Sequence, residues 1–175
     1  LGIPVDFTNE GIRGVESYRA TNFPPQLGLG HTWNRELIRQ VGLITGREAR
    51  MLGYTNVYAP ILDVGRDQRW GRYEEVYGES PYLVAELGIE MVRGLQHNHQ
   101  VAATGKHFPG HGWAEADSHF DLPVDERSEA EIRATDLRPF RDLASKLDGI
   151  MPAHVLYPQV DSQPAGFSRR ARGGR

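Results

Sequence analysis

The chain has 175 residues, 39% of them apolar and 25% charged, with 23 acidic against 20 basic side chains and a formal net charge of −3. These values describe one ordinary soluble domain with room for a core, and they speak against a nucleic-acid partner, which a basic surface would announce. Cysteine is absent, which excludes a disulfide framework and thiolate chemistry. No apolar run approaches the roughly 20 residues of a membrane span, so no membrane partner is expected. The opening Leu1-Gly2-Ile3-Pro4 carries no signal-peptide pattern and reads as the interior of a longer protein, and neither a cytoplasmic nor an exported location follows from it.

In chain order, residues 3–7 read as a strand that runs into the polar Thr8-Asn9-Glu10. Residues 34–52 predict a helix with Leu37, Ile38, Val41 and Ile44 at helical spacing and Gly53 as its stop. Residues 56–62 are extended and apolar and end at Asp63. Ser80-Pro81 opens the next helix as N-cap and first helical residue, with Val84, Leu87, Met91 and Leu95 on its apolar face. His97 and His99 fall in a polar turn after it and read as solvated. Residues 101–104 predict a short buried strand. Ser128 and Glu131 form a capping box for a further helix with Ile132, Phe140 and Leu143 on its apolar side. Residues 148–155 predict a last strand with His154 near its end. The basic run at residues 169–175 reads as a terminal tail, frayed over residues 171–175, after a domain spanning 1–170.

Strands alternating with helices imply parallel strands joined by crossovers. Polar residues recur just past strand ends: Asn9-Glu10, Asp63, Lys106-His107 and His154. That is the pattern of the catalytic face of a (β/α) TIM-type barrel. Only four or five strand candidates are present, against the eight of a closed barrel, and the chain falls short of the about 250 residues typical of that fold. The expectation is therefore an α/β domain that is an incomplete portion of such a barrel. A doubly wound open sheet is the alternative, but the chain has no glycine-rich phosphate loop of that type.

Gly105-Lys106-His107-Phe108-Pro109-Gly110-His111-Gly112, followed by Asp117-Ser118-His119, is the densest run of proton-transfer groups in the chain. Asp117 can orient the His119 imidazole and fix its tautomer, and an imidazole with an ordinary pKa of about 6.5 exchanges protons near neutrality. The plain alternative, two solvated loop residues, loses weight because Lys106, His107 and His111 stand just upstream. A metal-dependent hydrolase using His107, His111, Asp117 and His119 as ligands is a further alternative, and so is a sugar-binding module without turnover. No metal or other cofactor is required by the favoured reading.

Pro60-Ile61-Leu62-Asp63-Val64-Gly65-Arg66-Asp67-Gln68-Arg69-Trp70-Gly71-Arg72, with Glu75 and Tyr77-Gly78-Glu79-Ser80-Pro81, resembles the N-terminal domain of family 3 glycoside hydrolases, which are retaining exo-acting β-glycosidases. Residues 1–95, with Asp6-Phe7-Thr8-Asn9-Glu10-Gly11-Ile12-Arg13-Gly14, are similar to the β-glucosidase and β-xylosidase branch. Residues 102–170 are similar to the bacterial β-N-acetylglucosaminidase branch, through Lys-His-Phe-Pro-Gly-His-Gly, Asp-Ser-His, Met151-Pro152-Ala153-His154 and Pro164-Ala165-Gly166-Phe167-Ser168. The resemblance implies an oligosaccharide or glycoside substrate held at its terminal non-reducing sugar. It implies that Lys106, His107 and Arg72 bind that sugar, with Glu10 near a hydroxyl-binding position, and that His119 is the general acid/base, assisted by Asp117. For Arg72 the alternative is an ion pair with Glu74 or Glu75. Asp63, Arg66 and Trp70 read as braces of their loop, and His154 as a pocket wall. The family's nucleophile is an aspartate in a Ser-Asp-Asp or Ser-Asp-Trp segment. Neither segment occurs here, and Asp148 and Asp161 stand in other contexts.

Overall fold

The computed structural model describes residues 2–170. The expected tail at residues 171–175 lies outside the described residues. Four parallel strands, β1 (Thr8–Asn9), β2 (Asn56–Val57), β3 (Ala102–Phe108) and β4 (Gly149–Pro152), lie side by side in chain order. Helices α1 (Gln26–Gly30) and α2 (Arg35–Met51) cross from β1 to β2, and α3 (Pro81–Leu95) crosses from β2 to β3. α4 (Glu129–Ala134) and α5 (Leu137–Leu143) cross from β3 to β4. Every strand therefore ends on the same side of the sheet, as the crossover rule requires. The architecture is a partial (β/α) barrel, and the site grows from that common end.

The helices start where local chemistry dictates. Asn34 caps α2 by accepting a hydrogen bond from the Leu37 N–H at 3.0 Å, and Ser80 caps α3 ahead of Pro81. Val84, Leu87, Met91 and Leu95 of α3 are all buried, as expected. On α2 the buried stripe is Ile38, Val41, Thr45 and Ala49, while Ile44 is 40% exposed. The buried face thus runs one residue beyond the expected position, through Val41 and Thr45 rather than Ile44, and Gly42 and Gly46 beside it lie against α3. The Ser128–Glu131 capping box is present. The helix it opens stops at Ala134, and α5 begins only at Leu137. Thr135 and Asp136 divert their side chains into local hydrogen bonds and an ion pair with Arg127, which compete with a continuous helix. Ile132 joins a small cluster with Val155 and Tyr157, whereas Phe140 and Leu143 reach the main core.

The strands differ more from expectation. Residues 3–7 do not pair as a strand: Ile3, Val5 and Phe7 are exposed, and the ladder begins only at Thr8. The β2 segment pairs at Asn56 and Val57 and then again as an isolated bridge from Ile61 to Lys106. Pro60, which has no N–H to donate, separates the two. β3 is longer than its apolar start suggests and runs through Lys106, His107 and Phe108. β4 ends at Pro152, leaving His154 exposed beyond it. A buried Gln26 from α1 closes the sheet beside β2. Its side-chain oxygen accepts from the Ile61 N–H and its NH₂ donates to the Ile61 carbonyl, both at 3.1 Å. Among the described residues no helix is long and apolar enough to cross a membrane.

Candidate active site

Three strand ends supply one cluster. Lys106 on β3 is only 2% exposed and ion-pairs with Glu10, which follows β1. His107, next on β3, points its Nδ1 at the Oδ2 of Asp63, 2.8 Å away, in the segment after β2. The His107 backbone N–H and the His111 backbone N–H both approach Asp63 Oδ1, at 3.3 and 2.8 Å. Asp63 is fully buried. Burial pushes its carboxyl up, but contact with His107 and then His111 outweighs this and holds it below the usual carboxylate range. Asp63, expected only to brace its loop, is thus the hub of the strand-end cluster. Its signal in the sequence was its place directly after a strand.

His111 extends the cluster into the core. The Trp70 indole N–H donates to His111 Nδ1 at 3.1 Å, and the two rings meet edge to face at 5.0 Å. Burial lowers the His111 pKa to about 4, so it is neutral at physiological pH. Trp70, read from sequence as a loop brace, does brace that loop, and it also fixes His111.

The segment after β3 is laid against the segment after β2. Gly112 accepts hydrogen bonds from the Arg66 and Asp67 N–H groups at 2.9 and 3.0 Å, and a Cβ on Gly112 would sit 2.0 Å from the Val64 carbonyl oxygen. At Gly71, whose φ is +82°, a Cβ would come within 3.3 Å of Asp117 Oδ2. Gly112 is needed for its close approach and Gly71 for its left-handed backbone, and together they bring Asp117 beside the Arg69–Arg72 turn.

Asp117 and His119 then pair. His119 Nδ1 is 2.7 Å from Asp117 Oδ1, and the His119 backbone N–H donates to the same oxygen at 2.9 Å. The His119 side chain is 61% exposed, against 20% for Asp117. Slight burial pushes the Asp117 carboxyl up, but the two bonds from His119, with the Arg72 charge behind them, lower it on balance. Arg72 forms a two-pronged ion pair with Glu75, at 3.0 and 2.7 Å, the pairing held open for it in the sequence. Burial works against the Arg72 charge, but Glu75, Asp63 and Asp117 together raise its pKa. Arg72 therefore stands between the strand-end cluster and the dyad. Glu74, the other carboxylate on that turn, pairs with Arg13 instead.

A second network anchors the far end of the dyad's loop. Arg127 pairs with Asp125 at 2.6 Å and with the buried Asp136 at 2.7 Å, and its guanidinium lies 4.4 Å from the centre of the Trp113 ring. Asp136 is raised by burial, with the Arg127 contacts opposing. The other sequence candidates lie elsewhere. Asp148 accepts from the Ala103 N–H at 3.4 Å, at the start of β3 and so at the opposite end of the sheet. Asp161 accepts from the Ser168 hydroxyl at 2.5 Å. His97 and His99 are exposed. Among the described residues no three His, Asp or Glu side chains are grouped to hold a metal ion.

The chain matches the glycosyl hydrolase family 3 N-terminal domain over residues 1–171. It belongs to that family. It is 49% identical over 135 residues to a β-hexosaminidase of Pseudomonas aeruginosa, which covers 77% of this chain and 40% of that protein. A β-hexosaminidase of Nitrosospira multiformis is 43% identical over 169 residues, covering 91% of this chain and 48% of the relative. The chain thus spans about half the length of the curated relatives it matches. Among solved structures, NagZ from Neisseria gonorrhoeae in complex with N-trifluoroacetyl-D-glucosamine superimposes with a TM-score of 0.84 at 34% identity, over 97% of this chain and 55% of that one. A family 3 β-N-acetylglucosaminidase from a Paenibacillus species gives a TM-score of 0.91 at 35% identity, over 97% of this chain and 33% of that one.

Proposed function

We propose that this family 3 chain is the N-terminal barrel portion of a retaining exo-β-glycosidase that removes terminal non-reducing β-N-acetylhexosaminyl residues. The observation that carries the reading is the Asp117–His119 pair. At 2.7 Å, Asp117 accepts the Nδ1–H of His119 and turns Nε2 of a largely exposed ring outward. His119 Nε2 gives its proton to the departing glycosidic oxygen as the C1–O bond breaks and a carboxylate bonds to C1. In the second step it takes a proton from the water that displaces that carboxylate. The usual glycosidase acid is a second carboxylate; here the imidazole takes that place. Lys106, His107, Arg72 and Glu10 hold the terminal sugar, and the ion pair with the half-exposed Glu10 fixes the buried Lys106 ammonium at the strand end. The names of the relatives support N-acetylglucosamine over glucose or xylose. No cofactor takes part.

A second reading, sugar binding without turnover, is favoured for these 175 residues alone by the absence of a Ser-Asp-Asp or Ser-Asp-Trp segment. Titrating the chain with N-acetylglucosamine and with glucose, and assaying it on the aryl β-glycosides of both, tests the proposal. Preferential binding of N-acetylglucosamine without turnover is expected, with turnover appearing when a segment bearing the nucleophile is joined to it. Preference for glucose overturns the sugar assignment, and turnover by the 175 residues alone overturns the placing of the nucleophile outside them.

A further inference from the structure

His107 and His111 lie with ring centres 5.6 Å apart, and their surroundings dictate opposite tautomers. Asp63 Oδ2 is a carboxylate oxygen and can only accept, so the His107 nitrogen 2.8 Å away, Nδ1, carries a hydrogen. Nε2 of neutral His107 is then a bare lone pair. At His111 the direction reverses. The Trp70 indole is a donor only, so His111 Nδ1 must accept and Nε2 carries the hydrogen. That Nε2 is buried and has no partner within the described residues. Asp63 cannot turn away from His107, because its other oxygen is occupied by the His107 and His111 backbone N–H groups. With Trp70 occupying His111 Nδ1, the neutral His111 ring does not compete for the carboxylate.

We infer that Asp63 is a positioning residue that locks His107 as the Nδ1–H tautomer, so that the sugar site presents a hydrogen-bond acceptor, Nε2, to a substrate hydroxyl that must donate. This rests on the sugar-binding role proposed above for His107, and it adds a specificity element: Lys106 can only donate, whereas the Nδ1–H tautomer of His107 accepts at Nε2. One sugar hydroxyl can then accept from Lys106 while it, or its neighbour, donates to His107. A polar group lacking a hydroxyl hydrogen at that position, such as a methyl ether, meets a lone pair instead of a donor. A purely structural Asp63 would brace residues 107–111 without any effect on which ring nitrogen is protonated.

The test uses the 175-residue chain labelled with nitrogen-15 on histidine, at slightly alkaline pH, with Asp63→Asn as the variant. Asparagine keeps an oxygen for the two backbone N–H groups but sets an NH₂ opposite His107 Nδ1. The ring then must accept there and move its hydrogen to Nε2. The side-chain nitrogen shifts should show Nδ1–H for His107 and Nε2–H for His111 in the parent. In Asp63→Asn, His107 alone should invert, and affinity for N-acetylglucosamine should fall about tenfold or more. His107 found as Nε2–H in the parent, or unchanged in Asp63→Asn, overturns the lock. An inverted tautomer with unchanged N-acetylglucosamine affinity overturns the assignment of Nε2 to the sugar. A parent chain that binds no sugar while its tautomers behave as stated counts against the glycosidase proposal and supports the lock, so the two failures are distinguishable.

Discussion

Lys106 and His107 sit on a strand, with Lys106 only 2% exposed, whereas the His119 side chain a short way downstream is 61% exposed on an irregular loop. The first pair is held on β3 by partners from two other strand ends, Glu10 and Asp63. The second is held by one neighbour two residues away, Asp117, and by contacts at the two ends of its loop. The difference matches the work proposed for each. Groups that recognise a sugar gain from being fixed before it arrives, since ordering them on binding costs affinity. An acid that serves a leaving group must let substrate in and product out, and loop motion permits this.

The contrast can be broken most severely at the dyad. In a version of the protein completed with its nucleophile, His119→Ala should lower kcat by about 10²–10⁴ on substrates with poor leaving groups. Substrates whose leaving group needs no proton should lose far less. Equal losses on both would remove the acid role, and no loss on either would leave His119 an ordinary surface residue. The loop's anchorage is probed next. Arg127→Met keeps the bulk over Trp113 but strands Asp125 and the buried Asp136, and should cost about 3–5 kcal/mol in denaturant unfolding, the scale for breaking a buried ion pair. A loss below about 1 kcal/mol, the range of exposed pairs, would mean that the loop is anchored elsewhere. The smallest effect belongs to the rigid side of the comparison. Lys106→Met should weaken N-acetylglucosamine binding by about 1–3 kcal/mol, because hydroxyls and Glu10 lose their donor. Unchanged affinity by calorimetry would show that the Lys106–Glu10 pair serves the sheet alone.

Much of this was legible beforehand because it depends on neighbours in sequence. The caps at Ser80 and Ser128 are local hydrogen bonds, and the α3 face is a simple period. The Asp117–His119 spacing likewise needs nothing but a loop. Strand extents were harder, since a strand is defined by its partner: residues 3–7 alternate well yet find no ladder, and Pro60 interrupts one that composition alone would continue. β3 hides two of the most polar residues of the site because Glu10 and Asp63 compensate them from distant segments. The Trp70–His111 contact joins residues far apart in sequence and left no periodic trace. A buried polar side chain is explained only by its partner, and partners across a fold are what a single sequence conceals.

The Gln26 side chain imitates a peptide group, giving and taking one hydrogen bond at Ile61 as an adjoining strand would. The chain from Glu10 to α1 is thereby fastened to the sheet at a point where no backbone of its own runs alongside. Peeling that segment away would strand both the N–H and the carbonyl of a fully buried residue, a cost local fraying does not ordinarily meet. The Ile61 amide hydrogen is the natural reporter of that fastening: it should exchange with solvent only when Gln26 and α1 lift from the sheet.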